Sequence, residues 1–288
     1  MLKNKMKLIL KMNIAICIFC WIVQSHAAEW SDTSLIWSYG QEFSEPFKNS
    51  ADARAIDIDK QIFSIVHNST YKYGVNFVHL NLHHSNNEPN SNAAGKGAQE
   101  AYAIYRHTLD FGKIFQKELY TAGVTKGYGL TFGFDWNTKN DDYGSNRQMW
   151  VVGPTVMFNV VGYLNFNVLA LFESNQPNVI DHKYTYDPYI ALQAVWGIPI
   201  ASTGLNFDGI ATWMSSKGQN EFGDKTKPEI FVDVALMYDL SKVLHISQKF
   251  KVGAAYQYWE NKYGNDTNGA AGKGATASVP MIRAAYHF

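Results

Sequence analysis

The run Thr131-Phe132-Gly133-Phe134-Asp135-Trp136-Asn137 decides the fold class. On an extended chain, successive side chains point to opposite faces. Phe132, Phe134 and Trp136 therefore share one face, and Thr131, Asp135 and Asn137 share the other. The same alternation returns from Tyr163 to Ser174, where Leu164, Phe166, Val168, Ala170 and Phe172 oppose Asn165, Asn167 and Glu173. It returns again in Asn76–His84 (Val78, Leu80 and Leu82 against His79, Asn81 and His83) and in Glu229–Tyr238. Each stretch reads as a β-strand with one apolar and one polar face.

A soluble sandwich also alternates, and three further features favour a membrane barrel. The alternating segments run to roughly 9–13 residues, against about 5–6 for strands of soluble proteins. Aromatic residues gather at segment ends on the apolar face, namely Trp136, Trp150, Trp196, Trp213, Tyr238, Tyr258 and Tyr286, as interfacial girdles do. The final segment places Ile282, Ala284, Tyr286 and the terminal Phe288 on one face, the form of an assembly signal for bacterial outer-membrane barrels. The segments number twelve, from Ser34–Phe43 through Asp187–Trp196 as the eighth to Thr276–Phe288 as the last. Residues 28–288 are thus expected to form one all-β domain, a single antiparallel up-and-down transmembrane β-barrel of about twelve strands in the bacterial outer membrane. Long connections rich in Asn, Asp, Gly and Lys alternate with short ones such as Asn159–Gly162. Asp110–Lys126 breaks that rule by being long on the periplasmic side, and implies either a local cap or a further hairpin.

Residues 1–27 read as a cleaved signal peptide. Lys3, Lys5, Lys7 and Lys11 precede an apolar stretch from Met12 to Val23, which ends at Ser25-His26-Ala27. The whole chain of 288 residues carries 25 basic and 25 acidic groups. Losing those four lysines leaves four more acidic than basic groups, which speaks against a nucleic-acid partner. Cys17 and Cys20 leave with the leader, so no disulfide is expected. Phe19 makes Cys20 a poor lipidation site.

Catalytic signatures are missing. No Gly-x-Ser-x-Gly occurs, and Asn140-Asp141-Asp142 lacks the ligand spacing of a calcium loop. Adjacent His83 and His84 face opposite ways and cannot chelate one ion, so no metal, cofactor or enzymatic activity is expected. Ala93-Ala94-Gly95-Lys96-Gly97-Ala98 recurs as Ala270–Ala275; with Gly274 after Lys273 it is no phosphate loop, and a flexible exposed loop is expected.

The lumen face is the remaining candidate site. Strand parity turns Phe77, His79, Arg106, Asp135, Arg147 and Asn165 inward, followed by Asn167, Glu173, Tyr189 and Asp208. Glu229, Phe231, Asp233, Gln257, Trp259 and Arg283 complete the set. Polar residues face a lumen because apolar ones face lipid, which accounts for most of them. The aromatic admixture suits a solute with one flat face and one hydroxylated face. Trp259 falls at the outer rim, where an entering base could stack.

Trp37-Ser38-Tyr39-Gly40-Gln41-Glu42-Phe43-Ser44-Glu45-Pro46 resembles the first strand and loop of the nucleoside-specific channel-forming (Tsx-type) family, including its OmpK-like branch. So do Tyr71–Phe77, Gly153-Pro154, Tyr256–Gly264 and the ending His287-Phe288, in order along almost the whole mature chain. The resemblance implies a monomeric twelve-stranded barrel with a narrow channel for passive diffusion of nucleosides and deoxynucleosides. It also implies external loops that serve some relatives as bacteriophage or colicin receptors. Relatives often carry an acidic residue just after the Phe77 motif, where this chain has His79, Asn81 and His83. Expected partners are therefore nucleosides as solutes, outer-membrane lipids, and the barrel-assembly machinery through Phe288. The alternative is a surface receptor or a structural barrel with little selectivity.

Overall fold

The computed structural model describes residues 28–47, 57–89, 96–117, 123–246 and 249–288, without the side chain of Lys242. The expected signal peptide lies outside the described residues, as do Ala93–Gly95 of the first repeat copy. Thirteen strands follow one another: β1 (Trp30–Phe43), β2 (Ile58–Tyr71), β3 (Gly74–Ser85), β4 (Gln99–Asp110), β5 (Thr125–Lys139), β6 (Asn146–Phe158) and β7 (Tyr163–Asn175). After them come the two-residue β8 (Tyr184–Thr185), then β9 (Tyr189–Ile200), β10 (Leu205–Met214), β11 (Glu229–Asp239), β12 (Lys249–Glu260) and β13 (Ala277–His287).

Each barrel strand pairs antiparallel with its neighbours, and β1 pairs with β13 to close the ring. The small β8 stands aside on the end of β7, and β7 pairs directly with β9. The result is a closed antiparallel barrel of twelve strands with no free edge to pair with another chain. The eighth barrel strand is β9, which starts two residues later and runs four residues further than the alternation suggests. Between β4 and β5 the chain makes a short helix, Phe111–Phe115, capped by the Asp110 carboxylate accepting from the Lys113 amide. That resolves the anomalous Asp110–Lys126 connection as a local cap at its start.

The outer surface is that of a membrane protein. Along β5 burial alternates without exception from Gly127 to Lys139, with Phe132, Phe134 and Trp136 on the exposed side. Trp150, Phe166, Phe172, Trp213, Tyr238, Ile282 and Tyr286 are likewise exposed large apolar residues on other strands. A strand of ten residues, the shortest in the ring, rises about 33 Å along its own axis and, tilted, still crosses an apolar band about 25 Å tall. An even-stranded closed barrel with an apolar exterior, short turns at the end that holds both termini and long loops at the other is the architecture of outer-membrane proteins.

The inner face is less polar than simple parity implies. Met149, Val151, Leu169, Leu171, Tyr189 and Ala191 form one buried apolar panel on β6, β7 and β9. Ile62, Ala235, Met237, Ala255, Val279, Met281 and their neighbours form another on β2 and β11–β13. The strand order puts these panels on opposite walls. The apolar-to-lipid rule fails here because a narrow twelve-strand lumen is partly a packed core, and inward side chains touch each other instead of water.

Candidate functional site: the lumen

The register places all sixteen parity-assigned residues on the inner face. Phe77, for example, pairs with Arg106, Ile104 with Asp135, Asp233 with Gln257, and Gly253 with Arg283. The lumen gathers them into separate groups. Arg106 makes a 2.5 Å ion pair with Asp135, whose other oxygen accepts from the Tyr102 hydroxyl at 2.6 Å. Across the barrel, Arg283 pairs with Asp233 at 3.0 Å and donates from Nε to Ser38 Oγ, and the Gln257 amide donates to Asp233. His79 on β3 lies within electrostatic reach of Asp233 and Arg283, which stand five and three strands away round the ring. Its ring meets Phe77 edge-on, with centroids 5.9 Å apart.

Toward the outer end Glu173 takes Arg147 Nε at 3.1 Å, Lys217 Nζ at 2.8 Å and the Tyr189 hydroxyl. Lys217 belongs to the β10–β11 loop, so this contact draws that loop into the mouth. Trp259 Nε1 donates to Glu229 at 2.6 Å, and its ring is held edge-on between Phe231 (4.9 Å) and Tyr263 (5.1 Å). Trp259 is thus a packed member of the mouth and not a free platform at the rim, which corrects the expectation from parity alone. Tyr189 is likewise committed to Glu173.

A belt of side-chain hydrogen bonds crosses six of the twelve strands. Thr108 and Thr131 share one at 2.8 Å, Thr131 and Thr155 one at 2.5 Å, and Thr155 donates to Asn167 at 2.8 Å. Asn167 then donates to Gln193, and Gln193 to Thr212. Asn165 faces the lumen one inward position below this belt, opposite Met157 and Val195. Asp208 lies opposite Gly197 and Ala235, within reach of Lys251, His287 and Arg283.

No protein-family model matches the chain, and no curated protein does. Among solved structures it is similar to the translocator domain of the autotransporter NalP from Neisseria meningitidis, at 9% identity over 99% of this chain and 98% of that one, with a TM-score of 0.44. It is also similar to the KdgM porin, at 8% identity over 88% and 99% of the two chains, with a TM-score of 0.42. A third is the outer membrane protein OpdK from Pseudomonas aeruginosa, at 9% identity over 92% and 99%, with a TM-score of 0.33. With TM-scores below 0.5 these likenesses carry no argument, and the reading of this chain rests on its own strands and side chains.

Sequence reasoning missed a cluster of charged groups at the outer mouth. Glu45, in the β1–β2 loop, is buried beside Lys60 Nζ (2.9 Å), Lys139 Nζ (3.0 Å) and Lys262 Nζ (3.5 Å). Burial opposes its charge, but Lys139, Lys262 and Lys60 outweigh burial and hold the carboxyl well below the usual carboxylate range. Lys139 shares inward parity with Asp135 on β5 and was findable that way, while Lys60 follows only from the alternation of β2 itself. Glu45 and Lys262 sit in loops, where parity is silent. The second copy of the repeated phrase is also packed, contrary to the expected exposed loop. Ala271, Gly274 and Ala275 are buried against the β1–β2 loop, and a Cβ on Gly274 would fall 1.9 Å from the Glu45 carbonyl oxygen. That contact needs glycine.

Proposed function

We propose that the protein is a narrow outer-membrane channel through which nucleosides and deoxynucleosides diffuse passively, with no chemical step. The observation that carries this reading is the mixed wall of the lumen. Apolar panels on opposite walls alternate with ion-paired Arg106–Asp135 and Arg283–Asp233 and with the hydroxyl–amide belt. A flat base finds an apolar surface, and the ribose hydroxyls find carboxylates and amides. Phe77 keeps an aromatic ring on the inner face beside His79, and several weak contacts pass a solute that one strong site would trap. Liposome swelling with adenosine, thymidine and sugars of matched size tests it. Faster entry of the nucleosides is expected; equal rates for all solutes would reduce the protein to an unselective pore.

One observation favours a second reading, a barrel closed to the outside whose loops serve as a receptor surface. Glu45 and Lys217 draw two external loops into the mouth. Planar-bilayer recordings decide between the two. A complete lack of conductance, with phage or colicin binding retained on cells, would replace the channel reading.

A further inference from the structure

We propose that Lys60, Lys139 and Lys262 form a binding site for a small oxyanion of the phosphate or carboxylate class at the outer mouth, and that Glu45 is the chain's own occupant of it. The site is assembled from three separate parts of the chain. Lys60 opens β2, Lys139 ends β5, and Lys262 lies in the β12–β13 loop. Their ammonium groups converge on one oxygen, Glu45 Oε1, at 2.9, 3.0 and 3.5 Å. All three are deeply buried, with side chains 4%, 6% and 3% exposed. Three buried ammonium groups need carboxylates among them, and Glu45 is the one that touches all three. Asp141 takes part of the charge of Lys139 at 2.8 Å, and Glu100 lies nearby on β4. With Glu45 withdrawn, three cations would face only those two carboxylates.

The occupant is delivered by a loop, not by the barrel wall. Ser44 Oγ donates to the Thr276 carbonyl at 2.5 Å, Lys262 Nζ donates to the Ser44 carbonyl at 2.7 Å, and the Phe47 amide donates to the Ala271 carbonyl. These few bonds, with the close approach at Gly274, hold Glu45 across the opening. Lysines are mobile point charges suited to exchanging one oxyanion for another. Lys60 and Lys139 point inward, so the site faces solute in the mouth and not lipid headgroups on the outer face. An entering oxyanion would compete with a tethered carboxylate, whose effective concentration is on the order of millimolar. Binding would then release the Glu45 carboxylate from the three lysines.

The test is titration of inorganic phosphate, with acetate as the carboxylate arm, into the folded barrel in detergent, read by calorimetry. Glu45→Gln should bind phosphate at least about tenfold more tightly than the wild type, because the tethered competitor is gone. Adding Lys139→Met to that variant should erase the gain. Glu100→Gln, which removes a neighbouring charge without vacating the site, should bind as the wild type does. No gain in Glu45→Gln, or an equal gain in Glu100→Gln, would overturn the site. Should Glu45→Gln not fold, Glu45→Ala, which also removes the carboxylate, takes its place under the same two outcomes. The inference holds whichever solute crosses the lumen. Failed phosphate binding leaves nucleoside swelling untouched, and failed swelling leaves the oxyanion site standing.

Discussion

At the scale of single residues, the mouth is governed by how many cations surround one carboxylate. Burial, with Lys60 and Lys139 beside it, brings Lys262 down to about 8 against the upward pull of Glu45 and Glu100. The rings of Trp259 and Tyr263 lie over the same ammonium at 5.1 Å. In the unfolded chain a lysine titrates near 10.4, so between about 8 and 10.4 the unfolded state holds more protons than the folded one. Stability therefore rises as pH climbs through that window, even as the Lys262–Glu45 attraction is lost. The wild-type urea midpoint is accordingly expected to rise between about pH 8 and pH 10, and Lys262→Met should lose that part of the rise. A wild-type midpoint that does not rise over this range would deny Lys262 its lowered proton affinity.

At the scale of elements, alternation was the readable signal, and it reached as far as the backbone geometry that causes it. All twelve barrel strands were legible, to within a few residues at their ends, because a lipid-facing side chain has no polar alternative. The short helix after Asp110 was visible only as a connection of the wrong length. Inward direction was legible for Asp135, Glu173 and Arg283, whereas partners were not: parity says where a side chain points, not what it meets across a lumen. That is why Trp259 looked free while it is bonded to Glu229, and why parity, which puts Leu169 and Leu171 inside with Asn167, does not show that they pack into an apolar panel. The hydroxyl–amide belt is a further product of pairing, and its centre is Thr155, which is 1% exposed and bonded to both Thr131 and Asn167. Replacing Thr155 with valine keeps the shape, leaves the buried Asn167 Oδ1 without its donor, and leaves Thr131 bonded to Thr108 alone. A loss of about 1–3 kcal/mol is expected, read as a lower urea midpoint for the barrel in lipid vesicles. Thr212→Val, at the belt's end with one longer bond of 3.3 Å, should cost less.

At the scale of the whole molecule, closure depends on the seam where the first strand meets the last. β1 and β13 pair from Ser34–His287 to Gly40–Met281, and the chain end continues that ladder. The Phe288 amide donates to the Thr33 carbonyl at 2.9 Å, and the Thr33 amide reaches the Phe288 carbonyl at 3.4 Å. The Phe288 ring contributes little to this. It is 64% exposed on the lipid side, with only a loose contact to Tyr286 at 6.2 Å between centroids. The sequence expects this ring to act in assembly, and the seam's own hydrogen bonds are backbone ones. Two substitutions then separate assembly from stability. Phe288→Ala, which keeps the backbone bonds of the seam, should lower the amount of folded barrel in the outer membrane severalfold in cells. The same variant refolded from urea into vesicles should keep its seam and lose no more than the transfer of one aromatic side chain into lipid, about 1.5–3 kcal/mol. Ala284→Pro should do the opposite in vesicles, because Ala284 lies mid-strand in β13, paired on both sides, and proline there removes a ladder hydrogen bond. Equal membrane yields for wild type and Phe288→Ala would deny the terminal ring any part in assembly, and the seam alone would then account for closure.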